Sequence, residues 1–377
     1  MSRKIASHYA LINGRLERGI VVSVDDNNTI TDVSQHDNID SLASVEFFPG
    51  VLIPGMINAH CHLELAYLSG AIAEGAGFAG FAREIGRVRG NYTNEERLRA
   101  ASVADARMWE EGVAAVVDIA NDELVMPIKE RSHIEYHTRF ELFGLGNTSF
   151  DSLTDICSRH ERCSVTPHST YSVQDAPFRA IADSGNEALS IHFLESAAEG
   201  ELYQRCGSLW EWYSRMGWEC DFLGYDSPTK RIVESIPQRR STLLVHNAMA
   251  SDSDVKMIGD HFTTPATWVL CPESNRYISG LTPPVDMLRQ TGARIAIGTD
   301  SLASARTLSM IDNMRLLGNI PLEEMLSYAT INGAQALGID DRMGSIEVGK
   351  RPGLAVIEGV DLSNMTLTPD SQAHRIV

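Results

Sequence analysis

The chain has 377 residues, of which 43% are hydrophobic and 22% are charged, and its 32 Lys and Arg residues against 50 Asp and Glu residues give a formal net charge of −18. This composition is normal for a packed globular protein and excludes disorder for most of the chain. The negative charge argues against nucleic acid or an anionic membrane surface as the main partner, because both attract clustered positive charge.

The cysteines and the apolar segments predict the cellular compartment of the protein. The first residues lack the continuous apolar stretch of a signal peptide, and no stretch reaches the roughly 18 to 20 apolar residues that span a bilayer. Six cysteines are scattered along the chain without a C-x-x-C pair, which predicts reduced thiols rather than a disulfide framework. We therefore expect a cytoplasmic protein.

Short apolar runs rich in β-branched residues recur along the chain and alternate with helical patterns. They cover residues 52–60, 112–120, 134–142, 163–168, 188–195, 242–248, 267–274 and 293–300. Between the first two runs, Thr93 or Asn94 is expected to open a helix that Gly112 closes. Alternation of strands and helices predicts a parallel sheet, and eight such units predict an α/β protein with a closed (β/α)8 TIM-like barrel.

The two ends of the chain have a different pattern. Residues 9–53 and 342–377 indicate short strands separated by turns such as Asn13-Gly14, with glycines at the bends. We expect residues 1–53 and 342–377 to assemble into a composite β-sandwich. Residues 54–341 would form the catalytic barrel.

Metal-binding residue types gather at the predicted strand ends. The active site of a (β/α)8 barrel lies at the carboxyl ends of its strands. The residues at or next to those ends are His60, His62, His168, His192, His246 and Asp300. In an extended strand, residues i and i+2 share a face, so His60 and His62 are expected to point together into the barrel mouth. Neutral imidazoles bind divalent metals such as zinc.

Several segments carry a resemblance to a known family. They are residues 54–62, 191–195, 245–248, 271–275 and 298–301, with a tail at 344–350. Together they resemble the amidohydrolase superfamily, and the spacing His192-x-x-Glu195 resembles its deaminase and chlorohydrolase branch. Residues 60–65 are similar to the corresponding segment of the aminofutalosine deaminases.

The resemblance implies a distorted barrel and one divalent metal ion, with zinc favoured and iron left open. The implied ligands are His60, His62, His192 and Asp300, with an open position for a water molecule whose pKa the metal would lower. Binuclear relatives often carry a bridging Lys on the fourth strand. No Lys lies on this predicted strand, which favours a single metal.

The same resemblance assigns catalytic roles to three residues. Asp300 would accept a proton from the bound water, and His246 would hydrogen-bond that water or stabilise developing charge. Glu195 would protonate a ring nitrogen of the substrate and later pass a proton to the leaving amine.

Four residues are expected to bind the substrate. His168 resembles a substrate-contacting His of the family, although a role in the core is the alternative. Glu64 keeps the face of the two metal-binding histidines if the first strand continues, which would suit a contact to a substrate hydroxyl. Ser274 and Asn275 complete the set.

The predicted function is hydrolytic deamination of an aminated heterocycle, with release of ammonia. An adenine-containing nucleoside such as aminofutalosine is favoured, while guanine, cytosine and triazines stay open. The same site would also suit hydrolytic removal of chloride or an amine from a triazine-like ring, or hydrolysis of another carbon–nitrogen bond such as an amide. A barrel without turnover is the third alternative. The expected partners are a small heterocycle and water, and a homodimer is a family-level expectation.

Overall fold

The computed structural model describes residues 3–39 and 44–377. The strands are β1 (Arg3–Ile12), β2 (Arg15–Glu17), β3 (Ile20–Val24), β4 (Ile30–Gln35), β5 (Val45–Pro54), β6 (Met56–Cys61), β7 (Val113–Ala120), β8 (Glu135–Leu142), β9 (Cys163–Pro167), β10 (Leu189–Phe193), β11 (Thr242–His246), β12 (Thr267–Leu270), β13 (Arg294–Ile297), β14 (Leu354–Glu358) and β15 (Gln372–Arg375).

Helices connect most of the strands in the second half of this order. They are α1 (Phe78–Val88), α2 (Asn94–Glu110), α3 (Met126–Lys129), α4 (Asp151–Cys157), α5 (Asp175–Asp183), α6 (Ala197–Tyr203), α7 (Gly207–Met216), α8 (Pro228–Ser235), α9 (Asp252–His261), α10 (Pro272–Ser279), α11 (Val285–Gln290), α12 (Met310–Arg315), α13 (Leu322–Tyr328) and α14 (Ile331–Leu337). Short 3-10 helices cover Leu63–Leu68, Arg89–Asn91 and Leu223–Tyr225.

All eight predicted strands of the central region are present, as β6 to β13. They form two four-stranded parallel sheets, in the orders β6-β7-β8-β9 and β10-β11-β12-β13. Isolated parallel bridges join Ser169 to His192 and Cys61 to Asp300. These bridges bring the end of β9 beside β10 and the end of β13 beside β6. The α/β class with parallel strands is thus as predicted.

The parallel strands are buried on both faces. Every residue of β7 and of β11 is buried, as expected where helices cover one side of a parallel sheet and other strands face the second side. A large apolar cluster runs through these strands and their helices. Among the described residues, none of the helices is both long and apolar enough to cross a membrane.

Helix α2 begins and ends as its sequence indicates. The Thr93 side chain accepts a hydrogen bond from the backbone amide of Glu96, and the Glu96 carboxylate accepts one from the backbone amide of Thr93. These two reciprocal bonds form a capping box at the first turn. After the helix, Gly112 adopts a φ of +88°, and a Cβ there would lie 2.6 Å from the Cβ of Ala355. Glycine is required at this turn because a strand from the end of the chain packs directly against it.

A separate seven-stranded sheet combines both ends of the chain. Its order is β15-β14-β5-β1-β3-β4, with β2 paired to β1. Where a two-layer sandwich was expected, the described residues form this one sheet, and the division into domains at residues 53 and 342 stays a prediction.

Two predicted boundaries of the terminal strands were wrong. Strand β1 begins at Arg3 rather than near residue 9. The tail does not form a strand before Leu354, because Gly344, Gly349 and Gly353 all adopt positive φ and keep the backbone turning.

Candidate active site

Three imidazoles and one carboxylate converge where β6, β10 and β13 end. Asp300 Oδ1 lies 3.5 Å from His62 Nε2 and 3.8 Å from His60 Nε2. The ring centroids of His60 and His192 are 4.9 Å apart, and those of His62 and His192 are 5.5 Å apart. All four residues are buried. The structure therefore brings together the four residues expected as metal ligands, and their role as ligands stays a prediction.

Hydrogen bonds next to this cluster hold β6 against the end of β13. Asn58, two residues before His60, donates a hydrogen bond to Thr299 Oγ1 at 2.7 Å and accepts one from the Thr299 backbone at 3.2 Å. The amide of Asp300 donates to the His60 carbonyl at 3.0 Å. Asp300 itself adopts a φ of +58°, a left-handed conformation that is uncommon outside glycine and that Asp adopts more readily than most residues. This turn directs its carboxylate towards the histidines.

The donor set fits a divalent metal ion. His60 Nε2 is buried without a hydrogen-bond partner. Asp300 Oδ2 accepts hydrogen bonds from Ser274 Oγ at 2.5 Å and Ser304 Oγ at 2.8 Å, which leaves Oδ1 for the imidazole side. Burial lowers the pKa of His60 well below its ordinary value and that of His62 to about 4. Neutral imidazoles and an ionised carboxylate are the forms that ligate metals.

His246 stands beside this cluster at the end of β11. Its ring centroid is 5.3 Å from that of His192, and its Nε2 is buried without a hydrogen-bond partner in the described part of the chain. The residue adopts a φ of +79°. Burial lowers the pKa of His246 to about 3, so its ring is neutral at ordinary pH and can accept or donate one hydrogen bond through Nε2.

Glu195 follows β10 and faces the same space. Its Oε1 lies 3.8 Å from His246 Nε2, and its Oε2 accepts a hydrogen bond from the Tyr171 hydroxyl at 3.1 Å. Burial, followed by the charges of Asp300 and Glu199, raises the pKa of the Glu195 carboxyl well above its ordinary value. A carboxyl that keeps its proton in this position suits a general acid.

A second carboxylate fixes the turn that presents Glu195. Leu194 adopts a φ of +49°, and Glu199 Oε2 accepts a hydrogen bond from the Glu195 amide at 3.1 Å. The other Glu199 oxygen accepts from the Thr170 hydroxyl, in the loop that carries Tyr171. Neither Glu199 nor Tyr171 was among the predicted site residues, since their roles depend on contacts of helix α6 and of the loop after β9 with the turn that carries Glu195.

His168 lies against the metal-binding histidines. Its ring stacks on that of His192 with centroids 4.4 Å apart, and its Nδ1 lies 2.8 Å from Ser172 Oγ. Phe143, which is 51% exposed, packs edge-on against the His168 ring at 4.8 Å. His168 is therefore at the mouth of the site rather than in the core, and substrate contact stays a prediction.

The spacing argument for Glu64 was wrong. Strand β6 ends at Cys61 and a 3-10 helix follows, so the strand does not continue to keep Glu64 on the face of His62. The side chain is nonetheless buried, and its Oε2 accepts a hydrogen bond from the backbone amide of Asn121 at 2.9 Å.

Ser274 and Asn275 have protein partners within the site. Ser274 donates to Asp300, and Asn275 Nδ2 lies 3.5 Å from His246 Nδ1. Asn275 Oδ1 is buried without a partner. Both residues orient the groups beside them, and their contact with substrate stays a prediction.

Sequence reasoning also missed Asn121 and Glu141. Asn121 follows β7 and Glu141 lies near the end of β8, and Asn121 Nδ2 donates to Glu141 Oε1 at 2.8 Å. Both stand at the carboxyl ends of parallel strands. The strand-end rule would have found them if amides and glutamates had been considered together with histidines.

Comparisons with known proteins identify the family of this chain. The model of the amidohydrolase family matches residues 157–374. The adenosine deaminase of Helicobacter pylori is 29% identical over 334 residues, which cover 82% of this chain and 80% of that protein.

Solved structures share the fold. The structure of Helicobacter pylori aminofutalosine deaminase in complex with methylthio-coformycin has a TM-score of 0.83 and 24% identity, and the match covers both chains completely. The structure of atrazine chlorohydrolase from Arthrobacter aurescens TC1 with zinc has a TM-score of 0.76 and 16% identity, covering 96% of this chain and 90% of that one.

Proposed function

Because this chain belongs to the amidohydrolase family, we propose that it is a metal-dependent deaminase that hydrolyses an aminated heterocycle and releases ammonia. The observation that carries the proposal is the position of Glu195. Its carboxyl is buried, bonded to Tyr171 and 3.8 Å from His246, and it opens onto the space that the metal-binding residues surround.

The proposed metal ligands are His60, His62, His192 and Asp300. Zinc is favoured by the imidazole-rich donor set and by the zinc in the related chlorohydrolase structure, and iron is the alternative. When bound, the cation would supply Lewis-acid chemistry and lower the pKa of a water molecule towards 7.

The protein's own residues would move the protons. Asp300 Oδ1 would accept a proton from the attacking water, while His246 Nε2 would hydrogen-bond that water. Glu195 would give its proton to the ring nitrogen next to the carbon under attack, then take the remaining proton of the added water and transfer it to the leaving amine. The proton that Asp300 accepted would return to Glu195 and restore the acid. In total, water adds its oxygen to the carbon, the carbon–nitrogen bond breaks, and ammonia leaves.

An adenine-containing nucleoside is the substrate class we favour, with aminofutalosine as a specific candidate. The relatives named as adenosine deaminase and aminofutalosine deaminase support this choice. Substrate contacts are proposed for His168, Glu64, Ser274 and Asn275. His168 is partly exposed and Glu64 is buried beside Asn121, whereas Ser274 and Asn275 would act together with Asp300 and His246.

A second candidate function is the hydrolysis of a different bond by the same site. The shared fold with atrazine chlorohydrolase favours hydrolytic removal of chloride, or of an amine, from a triazine-like ring as the alternative, ahead of amide hydrolysis. Since the residues are the same, only the products distinguish these reactions.

We also propose that the two parallel sheets close into one distorted (β/α)8 barrel, residues 54–341, next to a β unit from residues 1–53 and 342–377. The bridges between Ser169 and His192 and between Cys61 and Asp300 support closure at both seams.

The test is ammonia release by zinc- or iron-loaded protein from adenosine-type nucleosides, guanine, cytosine and aminotriazines. Release from a purine nucleoside, lost in Glu195→Ala with metal content unchanged, is the expected result. Ammonia release that is unchanged in Glu195→Ala would contradict the assigned acid. Chloride release without ammonia from chlorotriazines would favour the alternative.

A further inference from the structure

Three residues form a connected polar cluster beside the metal-binding residues. Glu64 lies in the 3-10 helix after β6, Asn121 follows β7, and Glu141 lies near the end of β8. The Asn121 amide donates to Glu64 Oε2 at 2.9 Å, and its side-chain Nδ2 donates to Glu141 Oε1 at 2.8 Å. One asparagine thus fixes one oxygen of each carboxyl group.

The second oxygen of Glu141 has no hydrogen-bond partner among the residues that the structure describes. Glu141 is 8% exposed, and its Oε2 is buried without such a bond. A carboxylate oxygen of Glu141 and ring nitrogens of His168 and His192 all lie within 4.8 Å of one another. A polar atom that is buried without a hydrogen-bond partner costs stability, so this oxygen is expected to hydrogen-bond to a group that the ligand brings.

The groups around this oxygen determine whether a charged or a neutral group can hydrogen-bond to it. His192 is a proposed ligand of a divalent cation, so an ammonium group placed within a few ångströms of it would be repelled by like charge. A neutral hydroxyl carries no such penalty. Its oxygen can hydrogen-bond at about 2.7 to 2.9 Å to two atoms that lie up to 4.8 Å apart, so one hydroxyl fits between Glu141 and a histidine ring.

We propose that Glu141, held by Asn121 and flanked by Glu64, binds a hydroxyl group of a sugar on the substrate. Two neighbouring carboxyl groups match the two hydroxyls of a ribose, which would occupy the side of the mouth formed by the ends of β7 and β8. This assignment rests on the proposed deamination and narrows its substrate from any aminated ring to a ribonucleoside. Free guanine, cytosine and triazines lack the group that the cluster accepts.

The experiment compares hydroxyl-deleted nucleosides in the zinc-loaded full chain. Ammonia release is measured with adenosine, 2′-deoxyadenosine and 3′-deoxyadenosine for the wild type and Glu141→Gln. The wild type should lose about 10- to 100-fold in kcat/KM with at least one deoxynucleoside. In the variant, the amide oxygen would keep the bond from Asn121, and its NH2, which can only donate, would replace an oxygen that can also accept. Glu141→Gln should therefore lose a similar factor on adenosine and show little difference between adenosine and that deoxynucleoside.

Glu135→Gln is the matched control, because it removes a carboxylate from the opposite end of the same strand, β8. It should keep the wild-type ratio between adenosine and the deoxynucleosides. The subsite is wrong if Glu141→Gln also keeps that ratio, or if the wild type does not distinguish the three nucleosides.

Calorimetry with the deaminated products separates this inference from the proposed function. Inosine, 2′-deoxyinosine and 3′-deoxyinosine can bind without turnover. Tighter binding of inosine in the wild type, lost in Glu141→Gln, supports the subsite even if no nucleoside releases ammonia, an outcome that would overturn only the proposed deamination. Equal binding of the three products overturns the subsite even if ammonia is released.

Discussion

The two ends of β8 carry the same residue type in opposite environments. At its start, Glu135 receives hydrogen bonds from both terminal nitrogens of Arg342 at 2.7 Å and lies 2.7 Å from His137 Nε2. Near its end, Glu141 receives one hydrogen bond from Asn121 and keeps one buried oxygen without a partner among the described residues. Both oxygens of Glu135 are thus paired, whereas Glu141 keeps an oxygen that the proposed subsite would use.

The pKa values follow the same division. Burial alone would raise the pKa of Glu135, but the hydrogen bonds from His137 and Arg342 outweigh it and hold the value at about 2. Burial raises the pKa of Glu141 to about 8, and the bond from Asn121 only partly opposes it. In this strand, the carboxyl group with the raised pKa lies at the carboxyl end, where the active sites of this fold occur. The paired carboxyl group lies at the amino end, where it contributes to stability.

The largest expected effect at the mouth is the loss of a metal ligand. His62→Ala should reduce bound metal strongly and lower activity by about 10³-fold or more, because a ligand contributes more than the outer contacts that cost 10- to 100-fold. Metal analysis of purified protein and ammonia release measure both. The exposed His374→Ala in β15 is the control. Full metal content in His62→Ala would contradict the ligand assignment.

The second-largest effect is expected for the proposed general acid, whose loss should lower activity without lowering the metal content. Glu195→Gln should keep its metal and fold while kcat falls by about 10² to 10⁴, since the amide cannot transfer a proton. Glu219→Gln, at an exposed position, should leave kcat unchanged. A Glu195→Gln protein with near-normal kcat would remove this residue from the mechanism.

A smaller effect is expected for the hydrogen bond that orients the acid. Tyr171→Phe removes the donor to Glu195 Oε2 and should lower kcat about 10-fold, with little change in KM and none in metal content. Tyr136→Phe deletes another hydrogen-bonded hydroxyl, to Asp105 at 2.8 Å, outside the site. If both variants lose equal activity, the Tyr171 contact serves stability alone.

The smallest effect on activity is expected at the base of β8. Glu135→Gln should leave kcat unchanged but lower the free energy of unfolding by about 1 to 2 kcal/mol at pH 7. Because the folded pKa of Glu135 lies at about 2, below its unfolded value, its stabilisation is present above the unfolded pKa and lost as pH falls towards 2. Urea unfolding at pH 7, 5 and 3 should show the difference from wild type shrinking. A difference that is constant with pH would contradict the ion pair.

Much of this arrangement was predictable because strand ends can be read from the sequence. The eight apolar runs indicated the strands, and the i, i+2 spacing of His60 and His62 predicted their shared face. Glu64 shows the limit of this reasoning. Its spacing argument assumed a continuing strand, but the chain turns into a 3-10 helix after Cys61, and the side chain is held instead by the Asn121 backbone.

The sequence alone determined the α/β class, the order of the strands and the residue types at their carboxyl ends, since these follow from local periodicity and from resemblance. Only the tertiary structure decided which oxygen of Glu141 stays unpaired among the described residues, that Tyr171 and Glu199 hold Glu195 in place, and that the β unit expected from both chain ends is a single sheet. These features join residues far apart in the chain. The reason is physical: hydrogen bonding and burial depend on where distant segments meet, which no local pattern specifies.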